Sequence, residues 1–474
     1  MFSNFEIIVG IEVHVVLNTK TKMFSPSKSN HNDLPNINIS PIDLGHPGIM
    51  PSPNIEAIKK GIVLAKAFNM KIQNNIVFDR KNYFYQDLSK GFQITQQFFP
   101  IGYDGKIILE NESQIFLERI HLEEDTAKQF KKEDGIYLDY NRAGMPLIEI
   151  VTKPCIRSPK DASLFLKELK RILTFNKISD AKLEEGSMRA DVNISVRPYG
   201  ADFFGTRVEI KNINSVSNVE KAIEFETKEQ IKQILSSENV KQVTKRFNDK
   251  TEKTEYLRTK TNAVDYRYLT EPNIYMKKIS NKFINDVIQK NYIDLNEVKN
   301  NFLNWKISNE FINLLLDNYF LYEKFILINK KVNNPSEVIR WLCLELAGNL
   351  TKRNISIESL EQTKFDKLAE IILLIQEQKI NSKQGKEILQ IVCDTDKSVN
   401  TIIEENNFKQ ITDKKLIGLI FEKYVKENQQ MIKQYNDRPE RVEKFFIGMI
   451  MKETKGQANP EIATEVFKEM IRKK

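Results

Sequence analysis

The chain has 474 residues, long enough for two to four domains rather than a single core. Its 72 Lys and Arg against 64 Asp and Glu leave a formal net charge of +8, which permits a polyanionic partner without demanding one. No apolar run approaches the roughly 20 residues of a membrane span, no basic-then-apolar leader opens the chain, and Cys155, Cys343 and Cys393 lack disulfide or zinc spacing, so a reducing, cytoplasmic setting is expected.

In chain order, IVGIEVHVVL (Ile8 to Leu17) alternates as a strand, with Ile11, Val13, Val15 and Leu17 on one face and Glu12 and His14 on the other. Their Cα atoms would lie roughly 6.5–7 Å apart, close enough to share a metal ion or reacting group, or simply to form a structural hydrogen bond. Ser25 to Asp43, heavy in Ser, Asn and Pro, reads as a long loop. Ser52-Pro53 signals a helix start ahead of IEAIKKGIVLAKAF. FDRKNYFYQD (Phe78 to Asp87) interleaves Arg80 and Lys81 with Tyr83, Phe84 and Tyr85. That pattern suits base stacking with phosphate contacts, or an amphipathic strand with core aromatics. Asp104-Gly105 is a turn signal before the alternating run Gln114 to Glu124. His121, Glu123, Glu124 and Asp125 close that strand, with Glu124 continuing the face of Ile120 and Leu122.

Further on, PLIEIV (Pro146 to Val151) sets a lone Glu149 among aliphatic residues, where an unpaired carboxylate is costly. Ser158-Pro159, with Asp161 in the first turn, opens a helix through ASLFLKELKRIL. MRADVNISVR (Met188 to Arg197) alternates Met188, Ala190, Val192, Ile194 and Val196 with Arg189, Asp191, Asn193, Ser195 and Arg197. In RVEIK, Arg207, Glu209 and Lys211 oppose Val208 and Ile210. From about Lys290 the pattern is helical, with a polar break near Asn400 to Asp413. In the last helix pair Gly456 suits a C-cap, and Asn459-Pro460-Glu461 an N-cap, first position and first-turn acid.

Polar faces on antiparallel strands are often only solvated. Here Glu12, His14, Glu124, Glu149, Asp191 and Glu209 could converge on one sheet face, and so many carboxylates require cations. Mostly-oxygen ligation favours Mg2+ or Mn2+ over zinc. Arg189, Arg197 and Lys211 would suit a phosphate or a carboxylate. Carboxylate-held Mg2+ beside basic groups is equipment for phosphoryl transfer. Known ATP-site signatures and a nucleophilic triad are both missing.

Five segments together, IVGIEVHVVLNTKTKMF, FDRKNYFYQD, NRAGMPLIEIVTKP, LEEGSMRADVNISVRP and VEIKNINS, resemble the B subunit of the aspartyl/glutamyl-tRNA(Asn/Gln) amidotransferases, the GatB family. DYRYLTEPN (Asp265 to Asn273) and GMIMKETKGQANP fit the same family, so the resemblance spans the chain. It implies an α+β protein: a cradle domain built on a curved antiparallel sheet over 1–290, a helical domain over 291–405, and a helical, tRNA-binding tail over 406–474. It implies an ATP-dependent ligase step, phosphorylation of the side-chain carboxylate of misacylated Glu-tRNA(Gln) or Asp-tRNA(Asn), followed by amidation with ammonia. The implied partners are the amidase, or A subunit, which releases ammonia from glutamine, the small C subunit and the misacylated tRNA, with neither membrane nor DNA.

The resemblance implies Glu12, His14, Glu124 and Glu149 as the catalytic metal-binding core, with Asp191 and Glu209 as further ligands of Mg2+. It implies Lys81, Tyr83, Arg189, Asn193 and Lys211 as contacts to ATP or the aminoacyl group. Many relatives carry four cysteines as a zinc staple in the loop from Met23 to Gly48. This chain has Ser25, Ser27, Ser40 and Asp43 at those places, so no zinc is expected and the loop is expected to be looser. Lys452, Lys455, Lys468, Arg472, Lys473 and Lys474 in the tail either meet tRNA phosphates or are ordinary solvated charges. Two other readings of the acidic face are an autonomous Mg2+-dependent transferase for a small molecule, and a non-catalytic RNA-binding scaffold.

Overall fold

A computed structural model of the chain describes residues 4–259, 265–406, 408, 411, 413–435, 437–454 and 457–472. The protein is α+β and divides into two compact units, Met1–Val298 and Lys299–Lys474.

The strands that matter for the site are β1 (Phe5–Val16), β2 (Asp79–Asn82), β3 (Phe92–Thr95), β4 (Gln114–Glu124), β5 (Pro146–Thr152), β6 (Met188–Pro198), β7 (Val208–Ile213) and β8 (Leu269–Thr270). A nine-stranded sheet organises the first unit, in the order Lys253–Thr259, Val243–Asn248, β7, β6, β1, β5, β4, Gly102–Ile108, Lys71–Ile72. Each neighbour is antiparallel except β7 with Val243–Asn248. A smaller sheet joins β8, β2 and β3.

On β1 the period of two puts Ile7, Val9, Ile11, Val13 and Val15 into the core, while Glu12 and His14 stay partly exposed on the other face. Helices α1 (Ile55–Ala67), α2 (Pro159–Phe175) and α3 (Val216–Leu235) supply the apolar residues that complete this core. Ser158 caps α2 by accepting from Asp161 N at 3.0 Å. The start of α1 lies two residues beyond the Ser52-Pro53 signal. Asn54 is its cap, its side-chain oxygen accepting from Glu56 N at 2.9 Å. Asp104-Gly105 is not a turn but lies inside the strand Gly102–Ile108. Asp104 takes φ +55° there, and a Cβ on Gly105 would sit 2.3 Å from Met70 Cγ, so backbone packing selects the glycine.

The loop after β1 is closed by one carboxylate. Asp43 accepts from the hydroxyls of Ser25, Ser27 and Ser40 at 2.8, 2.8 and 2.9 Å, and from Ser40 N at 2.8 Å. The fully buried Lys22 places Nζ 3.6 Å from Asp43 and donates to Tyr140 O at 3.1 Å. Burial pushes the Lys22 ammonium below the ordinary lysine range against the pull of Asp43. The four residues expected at the thiol positions of a zinc staple therefore meet through hydrogen bonds.

The second unit is helical among its described residues. Helices Tyr319–Val332, Gln362–Gln376 and Ser382–Asp394 bury Phe325, Phe365 and Leu389. Helices Lys414–Glu427, Pro439–Glu453 and Pro460–Arg472 form a separate core of Ile417, Phe421, Val442, Phe446 and Phe467. Asn459 caps the last of them, accepting from Glu461 N and Ile462 N at 2.9 and 3.1 Å. Gly456, the expected C-cap, lies outside the described residues, as do Lys455, Lys473 and Lys474. Lys468 pairs with Glu443 at 3.5 Å, and Lys452 and Arg472 are exposed. No described helix is long and apolar enough to cross a membrane.

Candidate active site

Antiparallel register lines up four polar residues across four strands. Arg189 on β6 faces His14 on β1, His14 faces Glu149 on β5, and Glu149 faces His121 on β4. Glu149 Oε2 lies 3.3 Å from His14 Nε2 and 3.2 Å from His121 Nε2. Glu123, two residues past His121 and so on the same face, brings Oε1 to 3.6 Å from His14 Nε2. Ligand atoms of His14, Glu123 and Glu149 all lie within 4.8 Å of one another, the one such grouping among the described residues. One imidazole nitrogen and two carboxylates form a donor set that fits Mg2+ or Mn2+.

The electrostatics follow from crowding. Burial and the charge of Glu149 push Glu123 above the ordinary carboxylate range, while the two imidazoles overcome burial and hold Glu149 well below it. Burial alone would lower His14, but the hydrogen bond and charge of Glu149, with Glu123, raise it to about 9. Glu12 is raised by burial and then by Glu149 and Asp191.

A second acidic group flanks the first. Glu12 is directly opposite Asp191 and accepts from Asn193 Nδ2 at 3.0 Å. Lys211 pairs with Asp191 and lies 3.4 Å from Glu209, which also accepts from Thr244 at 2.8 Å. Arg189 donates to Asp125 at 3.0 Å, and Arg197 to Glu6 at 2.8 Å. A cavity of about 290 Å³ opens beside Glu12, Thr152 and Asn193.

Glu124 does not join this group. The strand's period of two sends it to the opposite face with Ile120 and Leu122, where the buried Glu124 pairs with the partly buried Lys90 and accepts from Ile94 N at 3.0 Å. Its neighbour Glu123 stands at the cluster instead. Glu123 and His121 are the residues that sequence reasoning left out, although the alternation of His121 and Glu123 with Ile120 and Leu122 carried the signal. Lys81 borders the cluster: burial would lower its ammonium, but Glu123, Tyr268 and Glu149 hold it above the ordinary lysine range. Tyr83 donates to Gln93 Oε1 at 3.1 Å, and burial raises its hydroxyl.

Comparison with known proteins agrees along the whole chain. The family model described as the GatB/GatE catalytic domain matches residues 7–285, and a second, the GatB domain, matches residues 323–471. The chain is 60% identical to the B subunit of the aspartyl/glutamyl-tRNA(Asn/Gln) amidotransferase of Malacoplasma penetrans, over 100% of this chain and 98% of that protein. It is 47% identical to the protein of the same name from Ureaplasma parvum, over 99% of this chain and all of that one. The Mycoplasma pneumoniae protein of that name is 45% identical, over 97% and 96%. Two matched domains in order and full-length identity of this size place the chain in the B-subunit family of the aspartyl/glutamyl-tRNA(Asn/Gln) amidotransferases.

Proposed function

We propose that this chain activates the side-chain carboxylate of Glu-tRNA(Gln) or Asp-tRNA(Asn) by phosphorylation with ATP, after which ammonia converts it to the amide. The observation that carries this reading is the His14–Glu123–Glu149 donor group, set in a polar sheet face beside Arg189, Asn193 and Lys211. In the first step a carboxylate oxygen bonds to the γ-phosphorus as the bond to ADP breaks. In the second, ammonia attacks the acyl carbon and phosphate leaves. A carboxylate by itself has no good leaving group, which is why ATP is spent first.

His14, Glu123 and Glu149 would hold Mg2+, with Glu12, Asp191 and Glu209 close by. Bound there, the ion supplies positive charge that offsets repulsion between the substrate carboxylate and the triphosphate. Arg189, Asn193 and Lys211 orient phosphate oxygens by hydrogen bonding. No serine or cysteine nucleophile is needed, since ammonia itself is the nucleophile. The relatives are named as the B subunit of their enzyme, which supports work inside a multi-subunit assembly. The reading assigns ammonia release from glutamine to the amidase, includes the small C subunit, and places the assembly in the cytoplasm. The exposed Lys452 and Arg472 of the last helices are the tRNA-facing charges in this reading.

The deciding experiment is to assemble the chain with its amidase and small-subunit partners and follow γ-labelled ATP with and without Glu-tRNA(Gln). Cleavage that requires the misacylated tRNA, with Gln-tRNA forming only when glutamine or ammonia is present, supports the reading. Cleavage indifferent to tRNA favours a small-molecule transferase, and tRNA binding without cleavage favours a scaffold.

A further inference from the structure

Two sequence segments nearly the length of a domain apart meet beside the donor group. FDRKNYFYQD contributes β2 and DYRYLTEPN contributes β8, and the two strands pair through Asp79 with Thr270 and Arg80 with Leu269. Asn82 fastens the approach to β8, its N–H donating to Tyr266 O at 2.9 Å and its side chain to Arg267 O at 2.7 Å. Arg80 grips the buried Glu271 with two bonds of 2.6 and 3.0 Å. Neither the ligation at Glu149 nor the core of the large sheet accounts for what this junction displays.

It displays a run of neighbouring rings. Tyr85 is 5.8 Å from Tyr83, Tyr83 is 5.7 Å from Tyr266, and Tyr266 is 5.9 Å from Tyr268, centroid to centroid. Their planes meet at 63° to 73°, edge to face rather than stacked, and Phe98 meets Tyr268 the same way at 6.4 Å. None of the four is buried, and Tyr85 is 60% exposed. Among them stands Lys81, its Nζ 4.8 Å from the Tyr266 centroid and 5.8 Å from that of Tyr83. A core would bury such rings and exclude the ammonium; partly open rings around a cation fit a ligand that alternates flat faces with negative charge.

We propose that Tyr85, Tyr83, Tyr266 and Tyr268 form a stacking track for the unpaired 3′ end of the aminoacyl-RNA, with Lys81 meeting its phosphates. The inference rests on the activation reading for its choice of RNA, and it extends that reading to a part of the substrate remote from the reacting carboxyl. The amino acid is esterified to the last ribose, so once its side chain reaches Glu123 and Glu149, the terminal base lies one ester and one sugar away. The rings join the end of β4 through Gln93, which accepts from the Tyr83 hydroxyl at 3.1 Å and donates to Glu124 O at 2.6 Å, one residue past Glu123. The number of rings decides between occupants: one adenine of ATP uses one ring face, whereas four neighbouring rings serve consecutive unpaired bases.

The test uses the full-length chain and a minihelix RNA whose single-stranded 3′ overhang ends in 2-aminopurine, a base whose fluorescence falls on stacking. Binding should quench the probe. Tyr266→Leu and Tyr85→Leu should each weaken RNA binding about tenfold and relieve the quench, the loss of one base–ring stack. Tyr266→Phe and Tyr85→Phe should preserve both, which separates stacking from misfolding, and ATP affinity should stay constant throughout. Unchanged quench and RNA affinity in the leucine variants would overturn the track. So would a fall in ATP affinity with RNA binding intact. In the assembled complex, quenching without amide formation would remove the activation reading and leave the track. Amide formation on an unquenched RNA would remove the track and leave that reading.

Discussion

His14 and Glu149 are directly opposed on adjacent antiparallel strands, with Nε2 and Oε2 3.3 Å apart. The same carboxylate meets His121 from the strand on its other side at 3.2 Å. A sheet can make this arrangement only in one register, because a slip of one residue would carry Glu149 into the core. The row Arg189, His14, Glu149, His121 is therefore fixed by the same pairing that builds the fold.

Glu149→Gln keeps the shape of this row and removes its charge. Replacing groups that merely orient a metal ligand costs up to about a hundredfold in activity, so losing a ligand should cost at least that much. We expect RNA-dependent ATP cleavage by the assembled complex to fall by more than about a hundredfold, with tRNA affinity within about twofold of the parent. A Glu149→Gln complex that is well folded and still cleaves ATP would count against metal binding at this row.

Glu123 and Glu124 are neighbours in sequence and opposites in effect. Glu124→Gln would strip the partly buried Lys90 of its counterion, seen as a lower denaturant midpoint. Glu123→Gln would relieve crowding against Glu149, so the ion-free variant should melt no lower than the parent. Its deficit should appear instead as weakened Mn2+ binding by calorimetry.

The pH dependence of that binding follows from His14. Without an ion its imidazole is raised from 6.5 to about 9, so at neutral pH it is protonated and must release the proton to coordinate. Apparent Mn2+ affinity should climb by up to about tenfold per pH step from neutrality towards 9 and then level off. The stability of the ion-free protein runs the other way. The contribution of protonated His14 is complete below 6.5 and disappears as the pH rises through about 9. Melting curves with and without Mn2+ should therefore diverge across this interval, and parallel curves would exclude His14 as a ligand.

Arg80→Lys should loosen the junction of β2 with β8 while sparing the large sheet. A lysine keeps the charge but cannot reproduce the two-pronged contact to Glu271 or the guanidinium 4.1 Å over the Phe92 ring. Hydrogen exchange should quicken at the amides of Asn82 and Glu271, both of which bond across the junction. Protection along β1 should not change. Equal exchange in the two proteins would show that the guanidinium fork does not hold the junction.

Much of this arrangement was legible in single strands. The alternation of β1 and β6 announced both the buried aliphatic face and the polar face with Glu12, His14, Asp191 and Asn193, and Ser158 and Asn459 announced their helices. What failed depended on neighbours far along the chain. Asp104-Gly105 has turn chemistry, yet the glycine is there because Met70 and Phe68 press on it. In the run Glu123, Glu124, Asp125 the alternation sets Glu123 apart from Glu124, but one strand cannot say which of its two faces meets the site. The answer comes from the pairing of Glu149 with His121 on another strand. Likewise nothing around Lys22 foretells that it is buried against Asp43.

That last pair changes what the loop needs from the cell. A closure made from thiolates and zinc matures only when the metal is delivered, and oxidants can undo it. Asp43, with three serine hydroxyls and the Lys22 ammonium, closes this loop from the chain's own atoms as it folds. Metal starvation and peroxide, which would open a thiolate staple, leave such a closure without a point of attack.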